Sequence, residues 1–159
     1  MEVEKRRMLR VSKLADYGTV VMASMAREPH RVHSAADMAT RVGLAAPTVS
    51  KILKTLARNG LVTSSRGAKG GYRLHCDPAQ ISVAQIIDAM DGPIGMTECS
   101  STPGMCSQEA ACTVRANWQT INHIVLDALQ RVTLEQMTRP IAHAVPLAAL
   151  KRRPVAPLA

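Results

Sequence analysis

The sequence predicts a mainly α protein with a small β-hairpin wing, a winged helix-turn-helix followed by a long C-terminal dimerisation helix. Three observations predict it. Two helical segments meet at a glycine turn and lead into a glycine-tipped hairpin, "LVTSSRGAKGGYRLH". Positive charge is concentrated in that same half. Residues 1–75 hold 14 Lys/Arg against 5 Asp/Glu, net +9, whereas residues 76–159 hold 6 against 7, net −1. Finally, an apolar seam at spacings of three and four closes the pattern.

The elements follow in order. Residues 1–7 read as a charged overhang, with Met8 the expected start of the protein. From Ser12, the residues Leu14, Tyr17, Val21 and Met25 recur at helical spacing, so helix one is expected over 12–26, broken at Glu28-Pro29. Ser34 and Asp37 form a capping-box pattern that opens helix two over 35–42. Gly43 makes the turn. Pro47 suits the first turn of helix three, whose stripe of Val49, Ile52, Leu53 and Leu56 ends at Gly60. In the hairpin, a turn with Gly67, Gly70 and Gly71 is followed by alternating Tyr72 and Leu74. Ser82 with Gln85 opens another helix to about Met90, and Asp91-Gly92-Pro93 stops it.

A long helix is expected from Thr113. Trp118, Ile121, Val125, Ala128 and Val132 form its seam, and Leu126 and Leu129 add a second stripe. One stripe can pack on the chain itself and the other on a second copy, which predicts a homodimer. The domains expected are a winged helix-turn-helix over 8–92, a cysteine loop over 93–112, a dimerisation region over 113–138 and a disordered tail over 139–159. The tail holds four of the nine prolines, with Lys151, Arg152 and Arg153.

With its apolar stripe turned inward, helix three presents Thr48, Ser50, Lys51, Lys54, Thr55 and Arg58. Early residues of such a helix reach base edges and later basic ones reach phosphates. The hairpin tip carries Arg66 and Lys69 among glycines, where the backbone can approach DNA closely and an arginine can enter a narrow minor groove. Double-stranded DNA is therefore the expected partner. Thr48, Ser50, Lys51, Lys54, Arg66 and Lys69 are the residues expected to hold it.

The stretch "TECSSTPGMCSQEAACTVRANW" places Cys99, Cys106 and Cys112 within fourteen residues. No run approaches the ~18 apolar residues of a membrane span. The charged N-terminus has no apolar stretch behind it, so no signal peptide is expected. The expected location is the cytoplasm, where clustered thiols serve metals or redox chemistry more often than disulfides. Gaps of six and five residues between the cysteines are wider than those of zinc-finger pairs, and no histidine lies in the loop. An iron–sulfur cluster spans several ångströms and accepts thiolates. Free redox thiols and zinc remain as alternatives. Cys112 at the expected helix N-terminus, with Arg115 one turn in, favours thiolate. Cys76 stands apart and reads as a small packing residue. No base–nucleophile pair, phosphate loop or usefully spaced carboxylate pair points to an enzyme.

These residues together resemble the bacterial winged-helix iron–sulfur regulators that include IscR, NsrR and RirA, the Rrf-two family. The resemblance covers residues 8–138. "MLRVSKLADYG" is similar to the family's start, "DMATRVGLAAPTVSKILKTLARNGLVTSSRGAKGGYRL" to its reading head, and the three-cysteine loop to its cluster site. "GPIGMTECS", "CTVRANWQTIN" and "VTLEQM" are similar to the branch that regulates the SUF cluster-assembly operon.

The resemblance implies a homodimeric transcription factor with a 2Fe-2S or 4Fe-4S cluster on Cys99, Cys106 and Cys112. That cluster would report iron–sulfur, oxygen or nitric oxide status and set expression of assembly genes. The first inter-cysteine gap is one residue longer than in IscR and NsrR. The histidine that IscR-type proteins place three residues after the last cysteine is Arg115 here. The first-helix aspartate of NsrR-type proteins, supplied across the dimer, matches Asp16 and is the implied fourth ligand. The rival reading is a cluster-free repressor that senses oxidants through the three thiols.

Overall fold

The computed structural model describes residues 11–139. The overhang 1–7, Met8 and all of the expected tail except Arg139 lie outside the described residues. The chain forms α1 (Lys13–Ala26), α2 (Ala35–Val42), α3 (Ala46–Arg58), β1 (Val62–Ser65), β2 (Gly71–Leu74), a 3-10 turn (Pro78–Gln80), α4 (Val83–Asp91), α5 (Glu98–Ser101), α6 (Arg115–Arg131) and α7 (Leu134–Thr138).

Helices α1, α2 and α4 start where local chemistry satisfies their free N–H groups. The Ser12 hydroxyl accepts from Ala15 N–H and Ser34 from Asp37 N–H. Ser82 and Gln85 form a complete reciprocal capping box. The Ser34 pair is only half such a box, because the Asp37 carboxylate turns to Arg31 instead. Gly43 at φ +67° ends α2 in the left-handed conformation that lets the chain reverse into α3. The Ser12 hydroxyl also donates to Asp91 Oδ1 at 2.5 Å, fastening the start of α1 to the end of α4.

Around this frame one core forms. Val21, Met22 and Met25 of α1 meet Met38 of α2, the expected stripe of α3, Val62 and Leu74 of the hairpin, Ile81, Ile86 and Leu134. The hairpin is antiparallel, pairing Val62 with Leu74 and Ser64 with Tyr72, so these four side chains share its inner face. A further tie holds the wing from behind. His33 N–H donates to the Tyr72 carbonyl and Tyr72 N–H to that of His33, each at 2.8 Å. Gly71 is required at this crossing, since a Cβ there would stand 2.5 Å from the His33 carbonyl oxygen.

The C-terminal region differs from expectation. The long helix is not continuous over 113–138. It begins at Arg115, ends at Arg131, and gives way to an extended Val132–Thr133. Val83 N–H donates to the Val132 carbonyl at 2.9 Å and Leu134 N–H to that of Ile81 at 2.7 Å. Thr133 with Gln136 then caps α7, whose Leu134 is fully buried in the core. Val132 therefore does not extend the seam. A short α5 across Cys99 was not expected from the sequence.

Candidate nucleic-acid interface and cysteine loop

The polar face of α3 and the adjoining wing are both basic. Lys51, Lys54, Arg58, Arg66, Lys69 and Arg73 are all exposed. Thr48 and Ser50 are half-buried beside the core stripe. None of those six cations is in an ion pair among the described residues, whereas Arg31, Arg41, Arg115 and Arg139 each contact a carboxylate. The cause is in the sequence. Between Asp37 and Asp77 there is no acidic residue, while seven Lys/Arg fall in the same stretch. An uncompensated positive face of this kind attracts polyanions.

Behind the wing sits a polar cluster that sequence reasoning missed. The His33 side chain is fully buried. Arg41 Nη1 lies 3.3 Å from its Nδ1. A guanidinium can only donate, so Nδ1 accepts and the neutral ring carries its proton on Nε2. Arg41 and Arg31 also clamp Glu28, at 2.5 and 3.0 Å. Burial, and then the nearby Arg41 and Arg31 charges, hold His33 below the ordinary histidine range against the opposing pull of Glu28.

The native state therefore binds fewer protons at His33 than the unfolded chain does, so this stabilisation is complete above pH ~6.5 and declines as pH falls through that value. Glu28, held below its usual range by Arg31 and Arg41, titrates lower still. Urea midpoints should fall between pH 7.5 and pH 5.5 for the parent protein, and fall less for His33→Gln. Equal drops in both would remove His33 as the cause.

The cysteine loop is arranged differently from expectation. Cys99 is buried in α5, and its Sγ lies 3.3 Å from Thr97 Oγ1. Cys106 and Cys112 are half-buried and all four cysteines are free. Cys112 lies two residues before Val114, the N-cap of α6, so it is not at the helix start. Arg115 is engaged by a carboxylate. It pairs with Glu109 at 2.5 Å, and the other Glu109 oxygen accepts from Gly104 N–H at 2.6 Å. One carboxylate thus ties the loop's middle to the foot of α6.

Asn122, buried on the inner side of α6, accepts from Met96 N–H at 3.0 Å through Oδ1 and donates to the Ile94 carbonyl through Nδ2. A lone amide among Leu126 and Leu129 on the inner stripe was the available signal for this contact. Three thiols on one loop suit an iron–sulfur cluster chemically. No three His, Cys, Asp or Glu side chains are gathered into a metal-holding group among the described residues. Asp16, exposed in the first turn of α1, is therefore not assembled with the cysteines within one chain.

The profile of the Rrf2 family, described as iron-dependent transcriptional regulators, matches residues 11–140. The chain belongs to the Rrf2 family. Among individual Rrf2 relatives, the transcriptional regulator IscR of Xenorhabdus nematophila is 32% identical over 104 residues, 65% of this chain. That match spans 63% of the relative's own length. CymR, the global cysteine regulator of B. subtilis, superposes with a TM-score of 0.65 at 29% identity, over 82% of this chain and 97% of its own. IscR of T. potens does so with a TM-score of 0.61 at 28% identity, over 81% and 85%. These Rrf2 relatives are regulators rather than enzymes, in keeping with the expectation from sequence. Among the described residues, no helix is long and apolar enough to cross a membrane.

Proposed function

We propose that this Rrf2 protein is a DNA-binding transcriptional regulator that reads double-stranded DNA with α3 and the wing and senses through its cysteine loop. The observation that carries the reading is the set of unpaired cations from Lys51 to Arg73, on the two elements that a winged helix presents to DNA. Thr48 and Ser50 reach base edges, Lys51 and Lys54 hold the strand, and Arg66 and Lys69 hold the flanking minor groove. A homodimer completes the reader, joined through the apolar face that α6 leaves exposed.

For the sensor, Cys99, Cys106 and Cys112 hold an iron–sulfur cluster, with Asp16 of a second copy as fourth ligand. Such a group supplies redox- and oxygen-sensitive chemistry when bound. The protein's part is to draw three thiols together, which requires the loop pinned by Glu109 to close. The organisation proposed is a reading head over 8–92, the loop over 93–112 and a dimerisation region beyond it. Control of cluster-assembly genes of the SUF type is the regulatory role that the stretches around the cysteines support. A cluster-free repressor with thiol sensing is the second reading, favoured by the ungathered cysteines.

Lys51→Ala and Arg66→Ala should each weaken binding to operator DNA. Each should also lower the slope of log K against log salt by roughly 0.9 for every phosphate no longer held. Dimer mass should be unchanged. Unaltered affinity in both variants would rule out this interface.

A further inference from the structure

We infer that the cleft between the second half of α3 and the inner face of the wing is a seat for one backbone phosphate of DNA, held by Lys54 and Arg58 and walled by Ser64 and Tyr72. This rests on the DNA-binding reading and adds the group that joins the helix to the wing.

The cleft is about 490 Å³ and is lined by Lys54, Ala57, Arg58, Ser64 and Tyr72. Its geometry follows from two periodicities. Lys54, Ala57 and Arg58 are spaced one helical turn apart, so they share one side of α3. Ser64 and Tyr72 are cross-strand partners on the inner wing face, one pair beyond the buried Val62 and Leu74. The core thus holds the two walls together at one end and leaves them open at the other.

The chemistry of the lining selects an anion. Two cations one turn apart repel each other, and no carboxylate among the described residues pairs with either. Arg58 makes only one side-chain hydrogen bond among the described residues, Nη2 to Thr55 Oγ1 at 3.4 Å, so most of its donors are free. Among the described residues, neither the Ser64 nor the Tyr72 hydroxyl makes a hydrogen bond within the protein. Two charges and two free hydroxyls around one opening match the oxygens of a phosphodiester. Tyr72 is also the residue whose backbone is doubly bonded to His33, so its wall of the cleft is braced from behind. A phosphate seated here bridges the reading helix and the wing and holds their separation.

The test uses the full-length protein and a short mixed-sequence duplex, with affinity measured by fluorescence anisotropy from about 50 to about 200 mM NaCl. Lys54→Gln and Arg58→Gln should each lower the salt slope by roughly 0.9 per seat engaged. Tyr72→Phe should weaken binding severalfold without changing the slope. Arg131→Gln, on α6, should change neither. Thermal midpoints identify any variant whose weaker binding reflects unfolding, and Tyr72→Phe keeps the ring that packs on the core. If Lys51→Gln lowers the slope while Lys54→Gln and Arg58→Gln do not, the seat is overturned and the DNA reading stands. If none of the three changes it, the DNA reading itself fails and takes the seat with it. Displacement of the duplex by micromolar inorganic pyrophosphate at matched ionic strength would assign the cleft to a free phosphate ligand and overturn the proposal.

Discussion

Cys99→Ala, Cys106→Ala and Cys112→Ala, reconstituted without oxygen, should each lack iron and acid-labile sulfide, whereas Cys76→Ala should retain both. The three thiols share one loop, with only six and five residues between successive cysteines. Cys76 follows the second wing strand and packs against the core. Thiolates carry an iron–sulfur cluster, and removing one of three leaves too few ligands to retain it. Glu109 sharpens the expectation. Its carboxylate joins Gly104 to Arg115 across a loop whose cysteines are not gathered. Glu109→Gln should therefore take up iron faster than the parent. Asp16→Ala should retain the group but lose it sooner in air, because three thiolates remain. A Cys106→Ala protein with full iron and sulfide content would show the site to be wrongly assigned. A parent that reconstitutes colourless, yet changes DNA affinity on oxidation, would favour the thiol-sensing repressor.

The second large effect concerns α6. Ile121→Glu or Ile124→Glu should convert the proposed dimer to a monomer in sedimentation velocity and lower DNA affinity by about a hundredfold or more, as two linked half-site readers become one. Trp118, Ile121 and Ile124 are 38, 41 and 62% exposed, while on the other side of the helix Asn122 is hydrogen-bonded to the chain's own Met96 and Ile94. An apolar face with no cover within the described residues suits a second copy, and a carboxylate placed there costs several kcal/mol to bury unpaired. Neither isoleucine supports the core, so circular dichroism and thermal midpoint should hold. A dimer that survives both substitutions would move the interface elsewhere.

Much of the reading head was legible because its signals are local. Ser12, Ser34 and Ser82 sit where helices begin, and Gly43 and Gly60 adopt positive φ where helices end. Caps and turns act over three or four residues, so one short window contains the whole cause. The hairpin and the basic face were legible for the same reason. The cysteine loop was legible as a cluster of donors but not as a geometry. Its true ties, Glu109 to Gly104 and Arg115, and Asn122 to the chain at 94–96, follow no periodicity.

By itself, then, the sequence determined the helix–turn–helix–hairpin order, the positive face and the supply of three thiols. Tertiary structure, acting with the local Thr133–Gln136 cap, decided where the last helix breaks. The spacing of the apolar seam runs on through Val132, although Thr133 and Gln136 offer a capping box for a new helix. Burying Leu134 completely stabilises by about 1.5–3 kcal/mol. Extended residues at 132–133 also bring the chain into backbone pairing with Val83 and Ile81. Those partners lie about fifty residues earlier in the chain. The capping box marks a helix start at 134, but burial of Leu134 and the pairing with Ile81 and Val83 act across that separation, and only the folded chain supplies them.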